Sequence, residues 1–290
     1  MPLSKTRSSA YLFLLLNTIL WGSSTPIIKY TLQFTSPTVF LLYRYIIATA
    51  IFLPIFLVYR HKTHHRINHL HTILLAFLGG PLCLLLSFYG ISKTSAIEAS
   101  IISSSGPLFT VLMSVVFLKE IINKKEWKGL TLALLGAVIV VFEPIITGYN
   151  HVILSLEGNL LIILSNVIWT FFLIFSKKIK VNPIYLTFYS FIISIPFFLF
   201  FSLNQQLSFQ LTPLAVPGIL YMAIGGSVIG FWAYQEGQRR IEASEAVVFT
   251  YLNPIFAIPL SILWLKETIS PVTVAATVLI IVGVYISEKR

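Results

Sequence analysis

Residues 98–120 read EASIISSSGPLFTVLMSVVFLKE, and residues 245–267 read EAVVFTYLNPIFAIPLSILWLKE. The second stretch repeats the first at a fixed offset of 147. Glu98-Ala99 returns as Glu245-Ala246, Pro107 as Pro254, Phe109 as Phe256, and Leu118-Lys119-Glu120 as Leu265-Lys266-Glu267. Further along, Gly136 returns as Gly283. The offset is about half the chain, so the second half is expected to copy the first. Residues 1–147 and 148–290 are read as the two units.

Composition says what medium the copies occupy. Hydrophobic residues make up 57% of the chain and charged residues 10%, against roughly 25% charged in a soluble domain. Too little polar surface exists to cover a water-soluble fold. The lone Cys83 excludes an intrachain disulfide and a cysteine-based metal site. Asp is absent, which removes Asp-containing triads and aspartate-rich magnesium motifs.

Apolar runs of about 20 residues are long enough to cross a bilayer as helices. Ten are present, near 9–30, 37–59, 72–93, 96–118, 127–146, 157–176, 183–202, 213–238, 243–265 and 271–287. The links between them are short. The basic residues then sort by side. Sixteen, in the two tails and after spans 2, 4, 6 and 8, share one side, and only Lys29, Lys93 and Lys266 lie on the other. The positive-inside rule makes the sixteen cytoplasmic, with both termini inside. The net charge of +10 is thus a topology signal, and no nucleic-acid partner is expected. Five spans per unit, an odd number, force the copies into opposite directions. The expected fold class is an all-α integral membrane protein of ten helices in two inverted five-helix repeats, with the lipid bilayer as its surroundings.

Polar residues inside the spans are the candidates for function. Pro107 and Pro254 fall mid-span and deprive the carbonyls of Ser103 and Thr250 of amide partners. Such breaks are tolerated where they face protein or a wet cavity, so helix kinks lining a cavity are expected there, with Ser104 and Asn253 beside them. Asn17, Trp21 and Ser24 share one face of span 1, and Asn166 and Trp169 share one of span 6. They form either a substrate wall or interhelical glue. Arg44 lies two turns inside span 2, about 10 Å from its start. It either meets an anionic group or anchors to carbonyls or to Tyr43 and Tyr45. Trp232 and Tyr234 on span 8 point to different faces, so only one can face a cavity.

Glu98 and Glu245 begin spans 4 and 9 at opposite mouths, where gating or proton coupling competes with simple capping in Ser95-Ala96-Ile97-Glu98. Glu236 is expected to pair with Arg240. His61, His64, His65, His69 and His71 crowd one loop, read as solvated rather than metal-binding. No metal or other cofactor is expected. Spans 5 and 10 carry small residues, Gly129, Ala133, Gly136 and Ala137, then Ala275, Ala276 and Gly283. They read as scaffold and as a homodimer contact.

Leu20-Trp21-Gly22, Arg44 followed by Ala48, and Asn253-Pro254 leading to Leu263-Trp264-Leu265-Lys266-Glu267 resemble the EamA group of the drug/metabolite transporter superfamily. The resemblance covers essentially the whole chain. It implies two inverted repeats enclosing a central cavity formed mainly by helices 1, 3, 4, 6, 8 and 9. It also implies export of amino acids or related metabolites through the inner membrane. Carried onto this sequence, the site would include Asn17, Trp21, Ser104, Asn166, Trp169, Trp232 and Asn253. One departure stands out: Trp169 is followed by Thr170, not Gly.

The leading expectation is a secondary transporter of a small-molecule substrate, working by alternating access. A passive channel and a membrane-embedded enzyme are the alternatives. The spans offer few acids, no Asp and no core His for catalysis, and an inverted repeat argues against a channel.

Overall fold

The computed structural model describes residues 5–62, 68–119, 123–148, 152–179, 181–238, 240–241 and 249–288. Every regular element among them is helical. In the first repeat, α1 is Lys5–Gly22 continued by Ser24–Thr31, and α2 is Pro37–Lys62. Helix α3 runs from His69–Phe77 through a π-helical stretch, Leu78–Leu82, into Cys83–Lys93. Helix α4 comprises Ala96–Ser103 and Gly106–Leu118, and α5 is Lys124–Thr147. In the second, α6 is Val152–Ile179 and α7 is Pro183–Asn204. Helix α8 runs from Val216–Leu220 through the π-helical Tyr221–Ile229 to Gly230–Gln238. Helix α9 joins a 3-10 turn, Phe249–Leu252, to Asn253–Leu265, and α10 is Pro271–Glu288. Eight of these are long and apolar enough to cross a membrane, and the shorter Phe249–Leu265 and Pro271–Gly283 are apolar too.

The helices form two inverted five-helix repeats, and the packing shows their equivalence. Helix α1 lies against α8 and α9, while α6 lies against α3 and α4. Helix α2 pairs with α7, and α5 with α10. Exchanging the repeats returns the same set of contacts. One crossing shows this at atomic scale. A Cβ at Gly136 would lie 2.7 Å from both the Ala276 carbonyl oxygen and Ile280 Cγ1. A Cβ at Gly283 would lie 2.6 Å from the Gly129 oxygen and 2.5 Å from the Ala133 nitrogen. Adding 147 to 129, 133 and 136 gives 276, 280 and 283, so one contact is made twice with its roles exchanged. No side chain fits at either glycine, because backbone meets backbone there.

That crossing brings Gly129, Ala133 and Gly136 of α5 against Ala276 and Gly283 of α10 within one chain. Ala275, and Leu135, Val138, Val278, Ile281 and Tyr285 on the outward side, stay exposed.

The repeated Leu-Lys-Glu block marks a helix end. Lys119 and Lys266 both adopt left-handed backbone, with φ of 56° and 55°, a conformation uncommon for residues other than glycine. Lys266 closes α9 by donating its amide to the Ser261 carbonyl. The chain then turns so that the Glu267 carboxylate accepts the amides of Ala96, at 2.7 Å, and Ile97, at 3.0 Å. These are first-turn amides of α4, which lack partners within the helix. Opposite charge at a helix N-terminus is favourable, so the end of one repeat's helix seals the start of the other's.

The mid-span prolines do not kink continuous helices as expected. Helix α4 stops at Ser103 and restarts at Gly106, and Pro254 occupies the first turn of a new helical segment after the 3-10 turn. Proline is well tolerated in a first turn, where its missing amide would have no partner. The chain thus converts a costly interior proline into a start signal. Helix α1 also breaks, after Gly22, where a Cβ would lie 2.8 Å from the Asn253 oxygen. Helix α6 carries Thr170 at the matching place and stays unbroken, its hydroxyl donating to the Asn166 carbonyl at 2.9 Å.

Candidate substrate cavity

A cavity of about 250 Å³ lies between the repeats. Its wall draws on α1, α3, α4, α6, α8 and α9, and also on α2 and α7. The scaffold helices α5 and α10 contribute none of its lining. The five interrupted helices, α1, α3, α4, α8 and α9, all face it. The π-helical stretches of α3 and α8 sit at repeat-related positions, Gly79 and Gly226, and both glycines line the space. A π-turn widens the helix and redirects side chains and carbonyls.

Aromatic rings form one side. Trp21 and Trp169 meet edge to face with centroids 6.4 Å apart. Tyr234 stacks on Trp21 at 5.4 Å, and Phe231 lies 6.2 Å from Trp21 and 6.3 Å from Trp169. The Trp21 indole donates to the Gly226 carbonyl at 3.0 Å, inside the π-helical stretch. The Ser24 hydroxyl turns back to the Trp21 carbonyl at 2.5 Å.

The amides act as ties between helices. Asn166 Nδ2 donates to the Ile102 carbonyl at 2.8 Å, bridging α6 to the break in α4 while still lining the cavity. Asn17 is buried and donates to the Gly230 carbonyl at 2.9 Å, bridging α1 to α8 outside the lining. Asn253 lines the cavity, and its Oδ1 is buried without a hydrogen-bond partner among the described residues.

Arg44 also reaches the cavity and is only 6% exposed. Its Nε donates to Ser227 Oγ at 2.8 Å. The guanidinium lies over the rings of Tyr45, at 5.5 Å, and Phe88, at 5.8 Å. Among the described residues, neither a backbone carbonyl nor Tyr43 holds it; the Tyr43 hydroxyl donates to the Phe209 carbonyl instead. An arginine at mid-helix costs about 2.5–3.5 kcal/mol to insert, and one hydroxyl with two ring faces offsets part of that.

Several expected positions fall elsewhere. Trp232 is 51% exposed and packs edge-on against Phe13 on the outside of the bundle. Phe231 takes the cavity position in its place, because Phe231 and Tyr234 share a face at a spacing of three whereas Trp232 is turned about 100° away. Ser104 is buried and donates to the Ser100 carbonyl, leaving Ser100 and Ser103 to line the cavity. Pro254 is not part of the lining, although its neighbour Asn253 is. Of Pro107 only the backbone is described. The sequence reading also missed Ser227 and Gly226. The recurrence of Gly79 as Gly226 at the repeat offset was the available signal for the π-helical pair.

Glu98 lies off the cavity, at the α3–α4 end of the bundle. Its carboxylate accepts from Thr94, Ser95 and Asn159 at 3.0, 3.0 and 2.8 Å. Its amide donates to Ser95 Oγ at 3.1 Å, which caps the helix. Glu245 lies outside the described residues, as do His64 and His65. His69 contacts the Tyr189 hydroxyl at 2.7 Å. Arg240 pairs with Glu236 at 2.9 Å, the helical spacing doing what it was expected to do.

A multi-pass helical membrane protein whose inverted repeats enclose a cavity has the architecture of a membrane transporter. A sequence profile of the EamA-like transporter family matches residues 8–142 and again residues 156–288, and the chain belongs to that family, within the drug/metabolite transporter superfamily. It is 28% identical over 282 residues to the uncharacterized transporter YyaM of Bacillus subtilis, covering 94% of this chain and 92% of that one. An uncharacterized transporter of Archaeoglobus fulgidus is 26% identical over 288 residues, covering 97% and 99% of the two chains. A crystal structure with 18% identity shares the fold, with a TM-score of 0.71 over 98% of this chain and 99% of the other.

Proposed function

We propose that the protein is a secondary transporter that moves a small organic metabolite, of the size class of amino acids, across the cell membrane by alternating access. The observation that carries this reading is the cavity itself: it lies between two inverted repeats, and five of the helices that wall it break or widen along their length. Inverted repeats allow one arrangement to be exchanged for its mirror counterpart, so that a single site faces each side in turn. Ten-helix packing with a scaffold pair outside the cavity supports a rocking of the halves around it. Both termini are cytoplasmic in this reading, from the distribution of lysine and arginine, and the direction is export. The α3–α4 end, with Glu98 and the Glu267 seal, is then the external end.

The test is counterflow in proteoliposomes preloaded with metabolite mixtures. Saturable exchange of a small solute is the expected result. Flux that does not saturate would indicate a channel, and chemical turnover of the solute an enzyme; either sinks the carrier reading.

A further inference from the structure

We propose that the cavity takes a small organic anion, a carboxylate with an aromatic or apolar body, with Arg44 as its counter-ion. This rests on the carrier reading above and narrows its substrate class from small organic metabolites to organic acids.

Arg44 remains protonated at any physiological pH. It is 6% exposed and lines the cavity. Nε is committed to Ser227 Oγ. The Nη1 and Nη2 groups have no hydrogen-bond acceptor among the described residues. No carboxylate among the described residues lines the cavity either. A buried cation lacking both an acceptor and a counter-charge is unfavourable in an apolar interior. A carboxylate entering the cavity supplies both at once, through the paired hydrogen bonds that guanidinium and carboxylate geometry favours. The anchor on Ser227 and the Tyr45 and Phe88 rings hold the guanidinium in place beforehand, so little freedom is lost on binding.

An ammonium group meets the opposite situation. It would share the cavity with a fixed like charge and find no fixed negative one. Ring faces can attract cations, but Trp21 is stacked by Tyr234 and makes a T-shaped pair with Trp169. Asn253 Oδ1 is a neutral acceptor, suited to a hydroxyl or amide hydrogen on the body of the anion, and does not balance an ammonium charge.

Three probes with one ring separate the possibilities: 3-phenylpropionate, phenylalanine and phenethylamine, an anion, a zwitterion and a cation. Binding is measured on the full-length protein in nanodiscs by equilibrium dialysis of radiolabelled probe. The expected result is saturable binding of 3-phenylpropionate at least about tenfold tighter than phenethylamine, with phenylalanine between them. Arg44→Gln removes the preference and Arg44→Lys keeps it. If Arg44→Gln does not yield monodisperse protein, Ser227→Ala serves instead: it frees the guanidinium, weakens the anion several-fold and leaves the amine unaffected. Equal or tighter binding of the amine, no saturable binding of the anion, or a preference unchanged in Arg44→Gln or in Ser227→Ala overturns the assignment. Anion binding without counterflow sinks the carrier reading and leaves the anion assignment standing.

Discussion

The indole of Trp21 meets the indole of Trp169 edge to face, with ring centroids 6.4 Å apart. They come from the first helices of the two repeats, so the wall where the repeats meet is aromatic. Their hydrogen bonding differs: Trp21 spends its N–H on the Gly226 carbonyl, while the Trp169 N–H has no partner among the described residues. Replacing either by Ala is expected to lower saturable counterflow by at least about tenfold. Trp169→Phe should retain most of the flux, whereas Trp21→Phe loses a hydrogen bond worth about 1 kcal/mol. Unchanged counterflow in both Ala variants, at matched insertion, would show that the indoles do not face the substrate.

Gly136→Val and Gly283→Val should each destabilise the scaffold. Both push side-chain atoms into the partner backbone, less than 3 Å from a Cβ at either site. Overpacking of this kind typically costs about 1–3 kcal/mol. Thermal unfolding in detergent measures it, and the two variants should lose similar amounts because the contact is one contact used twice. A loss confined to one of them would contradict that equivalence.

Glu267→Gln should loosen the start of α4. The carboxylate accepts two backbone amides there, from Ala96 and Ile97, and an amide side chain offers a single uncharged oxygen. The expected cost is about 0.5–2 kcal/mol. Hydrogen exchange at these two amides is the direct readout, and protection equal to that of the native chain would argue against the seal.

Cys83 offers a reporter inside the cavity wall. It is 4% exposed, with Sγ 3.3 Å from Ser165 Oγ, and it is the single cysteine of the chain. N-ethylmaleimide should modify it slowly, and a transported solute should slow it further in proportion to occupancy. Modification indifferent to any transported solute would place the transport path elsewhere.

Much of the fold could be read along the chain. The ten apolar runs, their short links and the offset of 147 between Pro107 and Pro254 specify a repeated helical membrane protein. So does the Leu-Lys-Glu block, although its reason, a left-handed cap at Lys119 and Lys266, emerged only in three dimensions. Other outcomes depended on small differences. Gly22 lets α1 break against Asn253, and Thr170 leaves α6 whole. Pro107 and Pro254 mark helix restarts rather than kinks, because the preceding residues leave the helix before the missing amide becomes a fault.

What the sequence determined by itself is what a one-dimensional pattern can carry: which stretches are apolar enough to span, and that the halves are copies. What only the tertiary structure decided is which side of each helix faces the cavity. In water, an apolar stripe reveals a helix's buried face. In a membrane, lipid and protein interior are both apolar, so the stripe disappears and the rotation of each helix is set by packing. Hence Phe231 and not Trp232 lines the cavity, and the small faces of α5 and α10 meet each other. Hence too Arg44 finds Ser227, 183 residues away in the chain, a pairing with no signature in the local sequence of either.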